Sequence, residues 1–295
     1  MSQAQDITSK AKSNLAFALI DLPVEERQNM AIFYAFCRTV DDIVDEPGFS
    51  PEERHQALDR WISVIRGSVN DPTELEQDLT KVIQTLNLDT SPMIKLIEGC
   101  RSDIDQHQPK NREELLNYTY CVASCVGLSS AIIMGASEKS AAYAVALGHA
   151  LQLVNIIRDV AEDYHKNQRI YLPLEDMDRF GYTLEDLRTQ KDSYALHALL
   201  EYEAKLAEEF FAQAAKEYES LPQADRNALM PAQAMRLIYH TILEKMQDDG
   251  YHIFKKRYRV NTFHKLCLLF RTKLNIEPKT YYDKFVGLLN FYNRK

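Results

Sequence analysis

Tyr34, Arg38, Asp41 and Asp45 recur at intervals of four, three and four, the spacing of neighbours along one face of an α-helix. Asp42 stands between the two acids. Carboxylates one turn apart bind hard cations through oxygen, and Mg2+ favours one or two of them completed by water and substrate phosphate. The arginine one turn earlier offers a planar fork of N–H donors to phosphate oxygens. A solvated acidic helix end would carry the same letters. The apolar run AIFYAFCRTV ahead of the acids argues for a buried helix instead.

A second stretch, LQLVNIIRDVAEDYHKNQRIYLP, is more informative. Gln152, Asn155, Asp159 and Asp163 stand at i, i+3, i+7 and i+11, one straight polar stripe, while Leu151, Val154, Ile156 and Ile157 fill the remaining surface. Polar groups inside an apolar helix cost about 1–3 kcal/mol each when left without partners. Metal, phosphate or a facing polar helix must supply those partners. Two such stripes facing one another would make a cup of carboxylates in which Mg2+ reconciles an anionic ligand with an anionic protein, with Arg38 and Arg158 beside the phosphates.

The elements that position these residues all read as helices. Pro23 opens the run carrying the first acids, and Ser50-Pro51-Glu52-Glu53 is a capping box with proline at the first helical position. Asp71-Pro72, Ser91-Pro92 and the box from Thr183 to Asp186 repeat the signal. The run 192–221, rich in Ala, Glu, Lys and Leu, contains no Gly or Pro. Nothing alternates as a strand series does. The expectation is an all-α, single-domain bundle of ten or more helices over residues 1–295, with an irregular link around 167–183. The basic run from Lys255 to Arg259 reads as a solvated helix end, or more sharply as a contact for phosphate or anionic lipid.

Composition narrows the function. With 35 basic and 43 acidic residues the chain carries a formal charge of −8, so nucleic acid is a poor partner. The five cysteines are odd in number and form no CxxC, so they read as reduced, buried small apolar residues, Cys121 and Cys125 among them. The N-terminal MSQAQDITSKAKSN has no basic start followed by an apolar core, and the apolar run 141–157 is interrupted by His149, Gln152 and Asn155. The chain is therefore expected to be cytoplasmic, touching a membrane at most peripherally.

Four pieces, YAFCRTVDDIVDE (34–46), YTYCVASCVGL (118–128), LQLVNIIRDVAEDYHKNQRIYLPLEDM (151–177) and PAQAMRLIYHTIL (231–243), together resemble the squalene and phytoene synthase family. The resemblance implies an isoprenoid-synthase fold with a central cavity, polar at its mouth and apolar below. It implies metal binding by Asp41, Asp42, Asp45, Asn155, Asp159 and Asp163, catalytic roles for Asp41, Asp45, Asp159, Asp163 and Tyr118, and substrate contacts from Arg38, Arg158, Tyr34, Gln152, Asn155, Tyr171 and Tyr239. Leu19, Val122, Ala123, Val126 and Leu153 would line the apolar part. The implied reaction is a Mg2+-dependent 1′-1 joining of two prenyl diphosphates through a cyclopropyl diphosphate, with a C30 product from farnesyl diphosphate. A C40 product from geranylgeranyl diphosphate is the alternative, and a degenerate assembly factor is the non-enzymatic one. Reduction by NADPH would apply only to some products, and no nucleotide-binding fingerprint supports it. The stretch from Ser13 to Phe17 departs from the Ser-rich, Phe-containing segment of many relatives.

Overall fold

The computed structural model describes Ala4 and residues 22–45 and 48–274; the stretch Ser13 to Phe17, Leu19 and Ile20 lie outside the described residues. The described chain contains thirteen α-helices and no strand: α1 (Val24–Asp45), α2 (Pro51–Ile65), α3 (Glu74–Thr85), α4 (Ser91–Ile104), α5 (Arg112–Thr119), α6 (Cys125–Ile133), α7 (Ala141–Asn167), α8 (Leu174–Phe180), α9 (Leu184–Arg188), α10 (Tyr194–Ser220), α11 (Gln223–Ala228), α12 (Met230–Asp248) and α13 (Thr262–Leu274). A π-helical turn, Tyr120–Ser124, joins α5 to α6.

Local chemistry sets most boundaries. Ser50 and Glu53 close a reciprocal capping box on α2, and Thr183 and Asp186 close another on α9. The Asp71-Pro72 signal is displaced: Thr73 caps α3 in a box with Glu76, whose buried carboxylate also takes Arg60 at 2.7 Å. The expected irregular link at 167–183 is also corrected, because it contains α8. That helix is held by backbone bonds from Leu174 and Glu175 to the carbonyls of Pro109 and Lys110, contacts remote in sequence that no local pattern announces.

The middle of the bundle is α7, whose 27 residues would span about 40 Å. It packs along α10 and against the π turn, α6, α5 and α12. Apolar residues surround it over its first half, as expected for a central helix. The helical stretch 138–167 is long and apolar enough to cross a membrane by length and composition, and so is 112–133; two thirds of the former's apolar window is buried inside the fold. Gly148 is where α7 comes nearest the π turn. A Cβ there would fall 2.4 Å from Ser124 Cα and 2.6 Å from its nitrogen. This glycine is needed for close approach, and the approach brings Val122 and Ala123 to the cavity wall. Cys121 and Cys125 are buried free thiols.

Candidate active site

A cavity of about 420 Å3 opens between α1, α4, the π turn, α6, α7 and α12. Its polar end is formed by Tyr34, Arg38, Asp41, Asp103, Gln152, Asn155 and Tyr239. Val122, Ala123, Val126 and Leu151 form part of the apolar wall. Met30, Met134, Tyr143 and Leu229, all nearly inaccessible to solvent, also line it and mark its inner end. Leu153, expected on the wall, is instead 1% exposed in the core and does not line the cavity, because it lies on the far side of α7 from Gln152 and Asn155. Both acidic stripes therefore begin at one opening, Asp41 and Asn155 within it and Asp45, Asp159 and Asp163 one or two turns further along.

At the end of α1, Arg38 pairs with Asp41 at 3.2 Å and with Asp42 at 2.5 Å. Asp42 pairs with Arg38 and, like Asp45, Asp159 and Asp163, stands just outside the residues that line the cavity. The Asp41 side chain keeps 54% of its surface accessible, but that surface faces a walled cavity. Burial among surrounding protein atoms, reinforced by Asp45, pushes its carboxyl up to about 6.

On α7, Arg158 grips Asp159 with two bonds of 2.8 and 2.5 Å, and Arg257 adds a third contact of 2.9 Å from the loop after α12. Arg257 also reaches Glu162 at 2.7 Å. The basic run is thus neither helical nor simply solvated: Lys255 pairs with Asp192 and Lys256 with Asp249. Asp163 is pushed up to about 8 by burial and by the neighbouring carboxylates of Asp159 and Glu162. Asn155 donates to Gln152 Oε1 at 3.2 Å, while its own Oδ1 is buried with no hydrogen-bond partner.

Two residues absent from the sequence reading join the clusters. Helix α7 ends with Gln168 in the left-handed region, φ 56°, and the chain turns Arg169 back towards the opening. Arg169 donates to Asp45 Oδ1 at 2.6 Å, to the Val44 carbonyl at 3.2 Å and to the Asp103 carbonyl at 3.2 Å. Asp103, near the end of α4, accepts Tyr118 at 3.1 Å and Tyr171 at 2.9 Å, whose rings stack 4.9 Å apart. Burial outweighs Arg169 and both hydroxyls and leaves the Asp103 carboxyl at about 6. The electrostatic influence of Asp103 is felt at both Asp41 and Asp163, so the two stripes share one field. A signal for Asp103 existed: it falls on the same face of α4 as Leu96 and Cys100, seven and three residues earlier, which makes it a polar interruption of a cavity-lining stripe.

The donor set fits a hard divalent cation. The acceptors at the opening are oxygens, three carboxyls are held above their ordinary range chiefly by burial, and the orphaned Asn155 Oδ1 is an acceptor awaiting a partner.

These features define a helical prenyltransferase with an acidic mouth over an apolar well. The chain belongs to the squalene/phytoene synthase family, whose sequence profile matches residues 8–264. It is 30% identical over 282 residues to the 15-cis-phytoene synthase of Synechococcus elongatus, with 90% of each chain covered. A dehydrosqualene synthase crystal structure superposes with a TM-score of 0.80 at 30% identity, covering 92% of this chain and 94% of that one. Squalene synthase HpnC from Alicyclobacillus acidocaldarius gives 0.73 at 28% identity, covering 84% and 93%. As a member of this family the chain is a prenyltransferase acting on prenyl diphosphates, with divalent metal serving diphosphate binding in the family generally.

Proposed function

We propose that the chain joins two molecules of farnesyl diphosphate 1′-1 in a single catalytic unit. The observation that carries this reading is the convergence of the 41–45 and 155–163 stripes, through Asp103 and Arg169, on one opening above an apolar cavity. In this reading Asp41, Asp45, Asn155, Asp159 and Asp163 hold Mg2+, which when bound supplies the positive charge that neutralises the departing diphosphate. Arg38 and Arg158 orient phosphate oxygens by forked hydrogen bonds, and Gln152, Tyr34 and Tyr239 fix the head group at the cavity mouth.

In the first half-reaction the C1–O bond of one substrate breaks, its electron pair leaving with diphosphate. The allylic cation so formed is attacked by the C2–C3 double bond of the second molecule. Loss of one proton to the released diphosphate closes a cyclopropane that retains the second diphosphate. Val122, Ala123 and Val126 keep water from the cation, and Tyr118, which lines the cavity and is backed by the stacked ring of Tyr171, presents a π face near it, a contact worth about 2 kcal/mol or more where water is excluded. Tyr118 also donates to Asp103, which fixes its ring.

Similarity to a dehydrosqualene synthase over nearly the whole chain supports the C15 substrate. The C20 reading is supported by relatives named phytoene synthase, such as that of Synechococcus elongatus. Incubation with each substrate and Mg2+, followed by product analysis, separates them: a C30 product from farnesyl diphosphate is expected. A C40 product formed in preference would favour the second reading, and no diphosphate release from either substrate would refute both.

A further inference from the structure

Away from the cavity, the turn after α12 brings a histidine pair onto an aspartate. Tyr251 adopts the left-handed region, φ 58°, and sets His252 against the start of α10. There Asp192 meets His197 Nε2 through one carboxylate oxygen at 2.5 Å and His252 Nδ1 through the other at 3.1 Å. One ligand atom from each of the three residues lies within 4.8 Å of the other two. Tetrahedral ligands about 2.0 Å from a zinc ion stand roughly 3.3 Å apart, so modest side-chain rotation closes the set. The side chains are 26%, 33% and 36% exposed, which gives ions a path in from solvent. Lys255 Nζ stands 3.1 Å from Asp192 Oδ2 and 3.5 Å from His252 Nδ1, so the same atoms already hold a cation, on a side chain 65% exposed and free to swing aside.

We propose that Asp192, His197 and His252 form a site for a divalent transition-metal ion of the Zn2+ type, which replaces the Lys255 ammonium and fastens the 251–261 loop to α10. Two imidazoles with one carboxylate suit such an ion, whereas the all-oxygen set at the cavity suits Mg2+. The clasp has a reach beyond itself. The same loop carries Arg257 to Asp159 and Glu162, and Tyr258, which accepts the His252 backbone N–H at 3.0 Å. Fixing His252 therefore steadies the arginine at the rim of the active site.

The test is a Zn2+ titration of the full chain by calorimetry in excess Mg2+, which keeps the cavity carboxylates engaged. Wild-type protein should bind one ion, His197→Ala and His252→Ala should each weaken binding by about 10- to 100-fold, and Lys255→Ala should tighten it by removing the competing ammonium. Absence of binding by the wild type, or equal binding by the histidine variants, would overturn the site. Zn2+ should also slow tryptic cleavage between Lys255 and Arg259 in the wild type but not in His197→Ala; unchanged cleavage in the wild type would overturn the clasp.

Discussion

The acids ending α1 and those on α7 share a spacing but not a mode of restraint. On α1, Arg38, Asp41 and Asp42 pair within one helix, with 43%, 54% and 33% of their side chains exposed. Such pairs contribute roughly 0–1 kcal/mol to stability. On α7, Asp159 and Arg158 are only 12% and 11% exposed, and Arg257 arrives from a distant loop to share the load. The α7 cluster is thus preorganised by tertiary structure, while Asp41 keeps room to adjust when a ligand enters. Arg169 couples the two, since it holds Asp45 from α1 while following directly on α7. One half of the site is a fixed frame and the other an adaptable arm.

That contrast can be broken by substitution. Asp41→Ala and Asp159→Ala should each cut turnover by about 1,000-fold or more, because either removes charge that serves diphosphate most strongly as it departs; steady-state kinetics on farnesyl diphosphate reads this, with circular dichroism confirming retained helix. The stability difference should be almost as large. Arg169→Met takes the 2.6 Å donor from Asp45, leaving it Asn167 at 3.5 Å, and removes one donor from each of two backbone carbonyls, and should cost about 3 kcal/mol, whereas Arg38→Met should cost about 0–1 kcal/mol, both measured by urea denaturation.

Smaller effects sharpen the same picture. His149, on α7 and bonded to Thr119 at 2.8 Å, is pushed down to about 4 by burial. Folded protein therefore binds this proton less readily than unfolded protein, so the stabilisation is full above the unfolded value near 6.5 and is lost as pH falls towards 4. Denaturation curves across that window should show a loss of about 2–3 kcal/mol attributable to the group, diminished in His149→Gln. The smallest effect belongs to Asp42, whose carboxylate is already taken by Arg38 at 2.5 Å: Asp42→Asn should change turnover by less than about tenfold, the magnitude of a modest local charge change. A loss as deep as that of Asp41→Ala would place Asp42 in the opening after all.

Spacing alone made the two stripes legible, because helical periodicity brings Asp41 and Asp45, or Asn155, Asp159 and Asp163, to one face whatever surrounds them. Capping boxes were readable for the same local reason at Ser50 and Thr183. What escaped was tertiary. Helix α8 is held by carbonyls more than sixty residues away, and Arg169 acquires its role only when the left-handed turn at Gln168 folds it back. Arg257 sits in a charge run whose composition says surface, yet it completes the Asp159 site from 98 residues away. Asp103 was within reach of sequence reasoning, as an acid on an apolar stripe, but it lacks a second acid at helical spacing on that face to draw attention.

The central claim is that both stripes serve one diphosphate. Calorimetric binding of inorganic diphosphate in the presence of Mg2+ tests it most directly, in the wild type, Asp41→Ala, Asp159→Ala and the double variant. Binding should require Mg2+, and each single substitution should weaken it by about 10- to 100-fold, with losses in the double variant that do not simply add. Wild-type affinity retained in either single variant would mean that the two clusters do not share a ligand.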